Sequence, residues 1–142
     1  DLLCSATASG GTLAGIIQRY PETKVLGLAV VKDKSLPARV LRCLPAEHTY
    51  LNWQIAASSS SYGHVTEELS AFCIALKPQI SIEPIYTGKA LQQLFALLKN
   101  KDIAAGQRIA FFHTGGLQGL AGLYYRNIIN AKQYQQLSAN LD

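Results

Sequence analysis

CSATASGGTLAG, residues 4–15, passes from apolar residues through two adjacent glycines straight into a helical pattern. Residues 2–6 read as a buried strand, and residues 12–20 as a helix stopped by Pro21. The apolar, partly β-branched run VLGLAVV, residues 25–31, reads as a second buried strand. Strand, loop, helix and strand within about 30 residues make a βαβ unit, with parallel strands and a right-handed crossover. The stretch predicts an α/β fold, a mostly parallel sheet with helices on both faces.

Further along the chain the same alternation continues. Residues 38–44 suggest a helix, 50–56 (YLNWQIA) a strand, and 58–61 (SSSS) a polar loop. Thr66 followed by Glu67 and Glu68 opens a helix over 67–76, because acids in a first turn complement the helix dipole, and Pro78 closes it. An extended run over 80–85 is expected to deliver Tyr86 and Thr87 at a strand end. Leu91, Leu94, Phe95, Leu97 and Leu98 mark one face of a helix reaching about Asn100. RIAFFH, 108–113, is the last clear strand and leads into Thr114, Gly115 and Gly116. Residues 127–142 read as a frayed helix or a tail. No internal repeat or low-complexity linker divides the 142 residues, so they form a single α/β unit with room for a real core.

Composition narrows the function classes. With 49% hydrophobic and 15% charged residues the chain is a folding one. Its net charge of +4 comes from scattered basic residues without aromatic interleaving, which argues against a nucleic-acid partner. No run approaches the roughly 18 apolar residues of a membrane span, so no membrane partner and a cytoplasmic location are expected. The three cysteines, Cys4, Cys43 and Cys73, sit in apolar surroundings and read as buried free thiols. His48, His64 and His113 lack metal-ligand spacing, so no metal is expected.

A strand that ends in Ser9-Gly10-Gly11-Thr12 and turns into a helix aims several unpaired backbone N–H groups, and the positive end of the helix dipole, at one point. Such a point suits an anion, most often phosphate, although small-residue turns also arise where strand and helix pack closely. The pattern is neither GxGxxG nor GxxxxGK[ST], which disfavours a dinucleotide or a nucleoside triphosphate. HTGG, 113–116, falls at a second strand end, and in an open α/β sheet ligands bind outside the carboxyl ends of strands. His113 itself reads as a packed strand-end residue, and Lys89 as a helix-start lysine with its amine in solvent.

Taken together and in order, ASGGTLAG, NWQ, YGHVTEEL, EPIYTGKAL and FFHTGGLQGL resemble the carboxyl-terminal part of the D-cysteine desulfhydrase and 1-aminocyclopropane-1-carboxylate deaminase family. These are pyridoxal 5'-phosphate enzymes of the tryptophan-synthase-β-like fold, and the resemblance spans nearly all of residues 2–120. It implies that the chain is part of the larger domain of a two-domain enzyme. Ala8, Ser9, Gly10, Gly11 and Thr12 would then hold the cofactor phosphate, Thr87 would contact the pyridine nitrogen, and Thr114 and Gly115 would complete the cofactor contacts. Tyr86 and Tyr62 correspond to the family's active-site tyrosines. Thr87 stands where the deaminases proper carry glutamate, and Thr114 stands in a motif that reads HLGG there. Both departures favour the desulfhydrase-like branch, and a hydroxyl at Thr87 in place of a carboxylate implies a milder electron sink.

The family's Schiff-base lysine lies in an amino-terminal asparagine-lysine motif that is absent here. With no methionine and a start at DLLCSATASGG, the chain reads as a fragment cut from a longer enzyme. The implied substrate of the intact enzyme is a small amino acid. The fragment alone is expected to be inactive and to form a homo-oligomer or pair with an amino-terminal half. The rival readings are a non-catalytic phosphate-ligand-binding or assembly module, and a sugar-phosphate or nucleotide binder.

Overall fold

A computed structural model describes residues 1–139 except Ser59 and Tyr62. Four strands, β1 (Leu2–Thr7), β2 (Lys24–Ala29), β3 (Trp53–Ala56) and β4 (Ile109–Phe112), form one sheet in the order β3-β2-β1-β4. Every pairing is parallel, with Cys4 beside Leu26 on one side and Phe111 on the other, and Leu26 beside Gln54. The α/β class with a parallel sheet is therefore as the sequence predicts.

Side-chain alternation assigns the two faces. From β1 and β2, Leu2, Cys4, Ala6, Leu26 and Leu28 project into the larger core. Leu3 and Val25 project into the smaller one. The smaller core is covered by α1 (Gly11–Arg19) and α2 (Leu36–Arg42), with Leu13, Ile17 and Val40 fully buried. Each such side chain contributes about 1.5–3 kcal/mol by leaving water. The opposite face carries α3 (Glu67–Leu76), α4 (Thr87–Lys99), α5 (Gly119–Tyr125) and α6 (Ala131–Ser138).

Local chemistry explains the element ends, including those the sequence misplaces. Thr66 caps α3 by accepting the N–H of Leu69 at 3.1 Å. The helix expected over 38–44 instead starts at Leu36, with Pro37 in its first turn, where a missing N–H costs nothing. The strand expected over 50–56 is only Trp53–Ala56. Ahead of it, the Asn52 amide donates to the carbonyls of Tyr20 and Thr23, both at 2.9 Å, and fixes the approach as a loop. The run 80–85 does not form a strand, because Pro84 and the carboxylate of Glu83 divert it into a turn that ends at Tyr86, the N-cap of α4. Cys43 is exposed at the end of α2, whereas Cys4 and Cys73 are buried.

The polar stretch near the chain end makes a docked helix. Asn130 and Gln133 form a reciprocal capping box at the start of α6, and Leu137 is fully buried in the larger core. Among the described residues, no helix is long and apolar enough to cross a membrane.

Candidate functional site

The strand order places a topological switch between β1 and β4. After β1 the chain moves to β2 and β3 on one side, and β4 lies on the other. Loops diverge there to opposite faces of the sheet and leave a crevice outside the carboxyl ends, the usual ligand position in open α/β sheets. A cleft of about 410 Å³ occupies this point, lined among others by Thr12, Glu83, Ile85, Tyr86, Thr114 and Gly116. The turn after β1 and the segment ending at Tyr86 therefore face each other across one cleft.

The first wall is the start of α1. Gly10, the N-cap residue, has φ 99°, which only glycine adopts freely, and a Cβ there would come within 3.0 Å of Val40 Cγ2. No side chain caps α1, so the amides of its first turn have no protein partner among the described residues. Ser9, Gly11 and Thr12 are exposed, and no atom lies within 4 Å of where a Gly11 Cβ would be. Protein packing therefore does not explain that glycine, while close approach of a ligand would. Ala8 is half-buried behind the loop, and its carbonyl accepts from Arg39 at 3.4 Å.

The second wall is organised by Glu83, which the sequence reading overlooked. Its side chain is fully buried, yet it lies along the cleft. Its carboxylate accepts the N–H groups of Ile85 at 2.6 Å, Tyr86 at 3.0 Å and Thr87 at 2.7 Å, as well as the Thr87 hydroxyl at 3.1 Å. These are the orphan amides at the start of α4, so Glu83 caps that helix with a full negative charge. Burial pushes its carboxyl above the ordinary range, opposed by the amides of Thr87, Ile85 and Tyr86 and by the Thr87 hydroxyl. An acidic residue directly before Pro84 and just ahead of a helical pattern was the available signal.

The resemblance-based residues fall as follows. Tyr86 lines the cleft, and its phenol donates to the Ala6 carbonyl at 2.9 Å. Thr87 is fully buried beside Glu83 and does not itself line the cleft. Thr114 and Gly115 lie on the third side. Their loop is fixed by His113, whose Nδ1 accepts the Gly115 N–H at 3.1 Å. That bond leaves the proton on Nε2, which donates to the Ser81 carbonyl at 2.8 Å. Tyr62 lies outside the described residues. Lys89, expected in solvent, is buried instead. Its ammonium donates to the Ser61 carbonyl at 2.9 Å, and burial lowers its proton affinity while the charge of Glu83 acts in the opposite sense.

No family model matches the chain, but individual proteins do. A Pyrococcus furiosus protein provisionally named 1-aminocyclopropane-1-carboxylate deaminase is 33% identical over 135 residues, covering 84% of this chain and 40% of the relative. A Schizosaccharomyces pombe protein described as a probable enzyme of that name is 28% identical over 148 residues, covering 89% of this chain and 44% of the relative. The Methylobacterium nodulans 1-aminocyclopropane-1-carboxylate deaminase is 27% identical over 146 residues, covering 88% and 42%. The chain thus spans less than half the length of these curated relatives. The order of its motifs, the parallel α/β fold and these matches agree: the chain belongs to the 1-aminocyclopropane-1-carboxylate deaminase family and is consistent with a carboxyl-terminal part of it.

Proposed function

We propose that this chain supplies the phosphate-holding part of a pyridoxal 5'-phosphate site in an enzyme acting on a small amino acid, of the D-cysteine desulfhydrase or 1-aminocyclopropane-1-carboxylate deaminase kind. The observation that carries the reading is the convergence of two glycine-bearing strand ends and Tyr86 on one cleft at the switch point. The residues present fit the group. The first-turn amides of α1, the Thr12 hydroxyl and the Ser9 hydroxyl meet a dianion, while Gly10 and Gly11 keep the backbone accessible. Thr114 and Gly115 line the same cleft. When bound, the cofactor supplies an electron-withdrawing ring that stabilises negative charge at the substrate α-carbon.

This chain's own groups bind and orient, and the proton transfers fall to residues elsewhere in the assembled site. No lysine lines the cleft among the described residues. That observation favours a second reading for the chain by itself, a module that binds a phosphate-bearing ligand without chemistry. In either case the larger assembly would be a homo-oligomer or a pairing with an amino-terminal half.

Thermal unfolding of the 142-residue chain tests the phosphate site directly. Inorganic phosphate and pyridoxal 5'-phosphate are expected to raise the Tm, with about 2.7 kcal/mol gained at a hundredfold excess over Kd. Pyridoxal without its phosphate is expected to have no effect, and Thr12→Val to weaken both shifts. Absence of a shift with both phosphate-bearing ligands would remove the reading.

A further inference from the structure

We propose that the groove over the carboxyl ends of β2 and β3 is a second ligand site, built for a small carboxylate with a short apolar tail. Lys89 receives the carboxylate at one end, and Val31, Leu36, Pro37 and Ile55 receive the tail at the other. The groove shares no lining residue with the cleft at the switch point, so the inference stands apart from the phosphate reading.

Two adjoining cavities make up the groove. One, of about 300 Å³, is bounded by α4 and the loop after β3, with Lys89, Gln92, Gln93 and Ser60 in its walls. The other, of about 350 Å³, lies beside the start of α2. Ala29, Ala57 and Ser58 border both, so the two meet over the strand ends, where open α/β sheets take their ligands. Each is near the lower end of the size range of small-molecule sites, which sets a small occupant.

Lys89 gives the polar compartment its chemistry. Glu83 and Lys89 are the two buried charged residues among the described ones. Glu83 accepts from three amides and a hydroxyl. Lys89 is 8% exposed, carries three protons and meets one acceptor, the Ser61 carbonyl. No carboxylate lies within ion-pair distance of it among the described residues, and the charge of Glu83 acts on it only from farther away. A lysine so deeply placed is ordinarily paired. The partner that fits is an anion entering the cavity.

The neighbours decide which anion. The Ser58 hydroxyl donates to the Ser60 carbonyl and accepts the Ser60 N–H, and the Gln93 amide donates to the carbonyls of Ala57 at 2.8 Å and Ala56 at 3.3 Å. These bonds tie the end of β3 to α4, and they leave one ammonium as the cation of this compartment. It balances the single charge of a carboxylate, whereas a phosphate dianion would keep an unbalanced charge. In the second compartment Val31 and Ile55 are half-buried and Leu36 is buried, which offers carbon surface to a tail. Lys32 and Lys34 are exposed there, and the Asp33 carboxylate is engaged by the Ser35 N–H and hydroxyl and by Arg39.

An NMR titration of the ¹⁵N-labelled 142-residue chain with 3-methylbutanoate, its neutral amide and acetate tests the site. Wild type is expected to bind the acid roughly tenfold more tightly than the amide, the scale of one hydrogen bond to a charged group. Acetate is expected to bind more weakly than 3-methylbutanoate, because it has no tail to bury. The amide signals of Ala29, Val31, Ala57 and Ser60 should move, while those of Gly11 and Thr12 stay in place. Lys89→Met keeps the side-chain length without the charge and should bring acid and amide to equal affinity, with the Tm response to inorganic phosphate unchanged. Val31→Ser should narrow the advantage of 3-methylbutanoate over acetate. The wild-type comparison of acid with amide requires neither variant to fold. Equal binding of acid and amide by wild type, no binding of the acid, or signal changes confined to the turn before α1 overturns the inference.

Discussion

The phenol of Tyr86 donates to the backbone carbonyl of Ala6 at 2.9 Å, linking the start of α4 to the central strand. The pairing of β1 with β4 ends at Ser5, so this bond lies just past the last paired residues, where the sheet opens into the cleft. Tyr86→Phe keeps the ring but removes the bond. We expect a loss of about 1 kcal/mol in unfolding free energy, read as a lower denaturant midpoint at constant m-value. An unchanged midpoint would mean that the bond contributes nothing to joining the two walls.

Gly116 offers a sharper test of the cleft's geometry. It has φ 118°, and an added Cβ would crowd the Glu83 carboxylate as well as strain the backbone. Gly116→Ala should cost about 1–3 kcal/mol and displace the cap of α4. Gly122 sits in α5 with open space around its missing Cβ, so Gly122→Ala should be neutral or slightly stabilising. Thermal melts of the two variants side by side check the contrast.

The thiols should separate cleanly in reactivity. Burial pushes the Cys4 thiol up to about 12, and burial together with the nearby Glu83 charge does the same for Cys73. Cys43 is exposed. Since the thiolate is the reactive form, an aromatic disulfide reagent should modify Cys43 alone in the native protein. All three thiols should react after denaturation. Peptide mapping identifies the modified positions.

Much of this fold was legible because it rests on short-range rules. The βαβ unit follows from apolar runs around the glycine turn, and α3 starts and stops where Thr66, its acids and Pro78 dictate. The misreadings came where particular side-chain partners, local or distant, decided the outcome. Residues 80–85 carry the alternating isoleucines of a strand, yet no neighbouring strand pairs with them, and Glu83 turns inward to cap α4. Lys89 has the sequence context of a solvent-facing helix residue, but the Ser61 carbonyl satisfies it in a buried position. The glycine walls of the site were visible as motifs. The wall that Glu83 organises was hidden, because a lone glutamate reveals nothing about which amides it will meet.

The clasp around Ser81 extends the site's foundations to the far end of the chain. Lys77 donates to the Ser81 hydroxyl at 3.1 Å and to the Leu137 carbonyl at 2.8 Å, while His113 holds the Ser81 carbonyl. The span leading to Glu83 has no ladder of its own, so it borrows its rigidity from these side chains. The last helix is in this sense a strut for a carboxylate it never touches, and trimming it would loosen the binding chamber from behind.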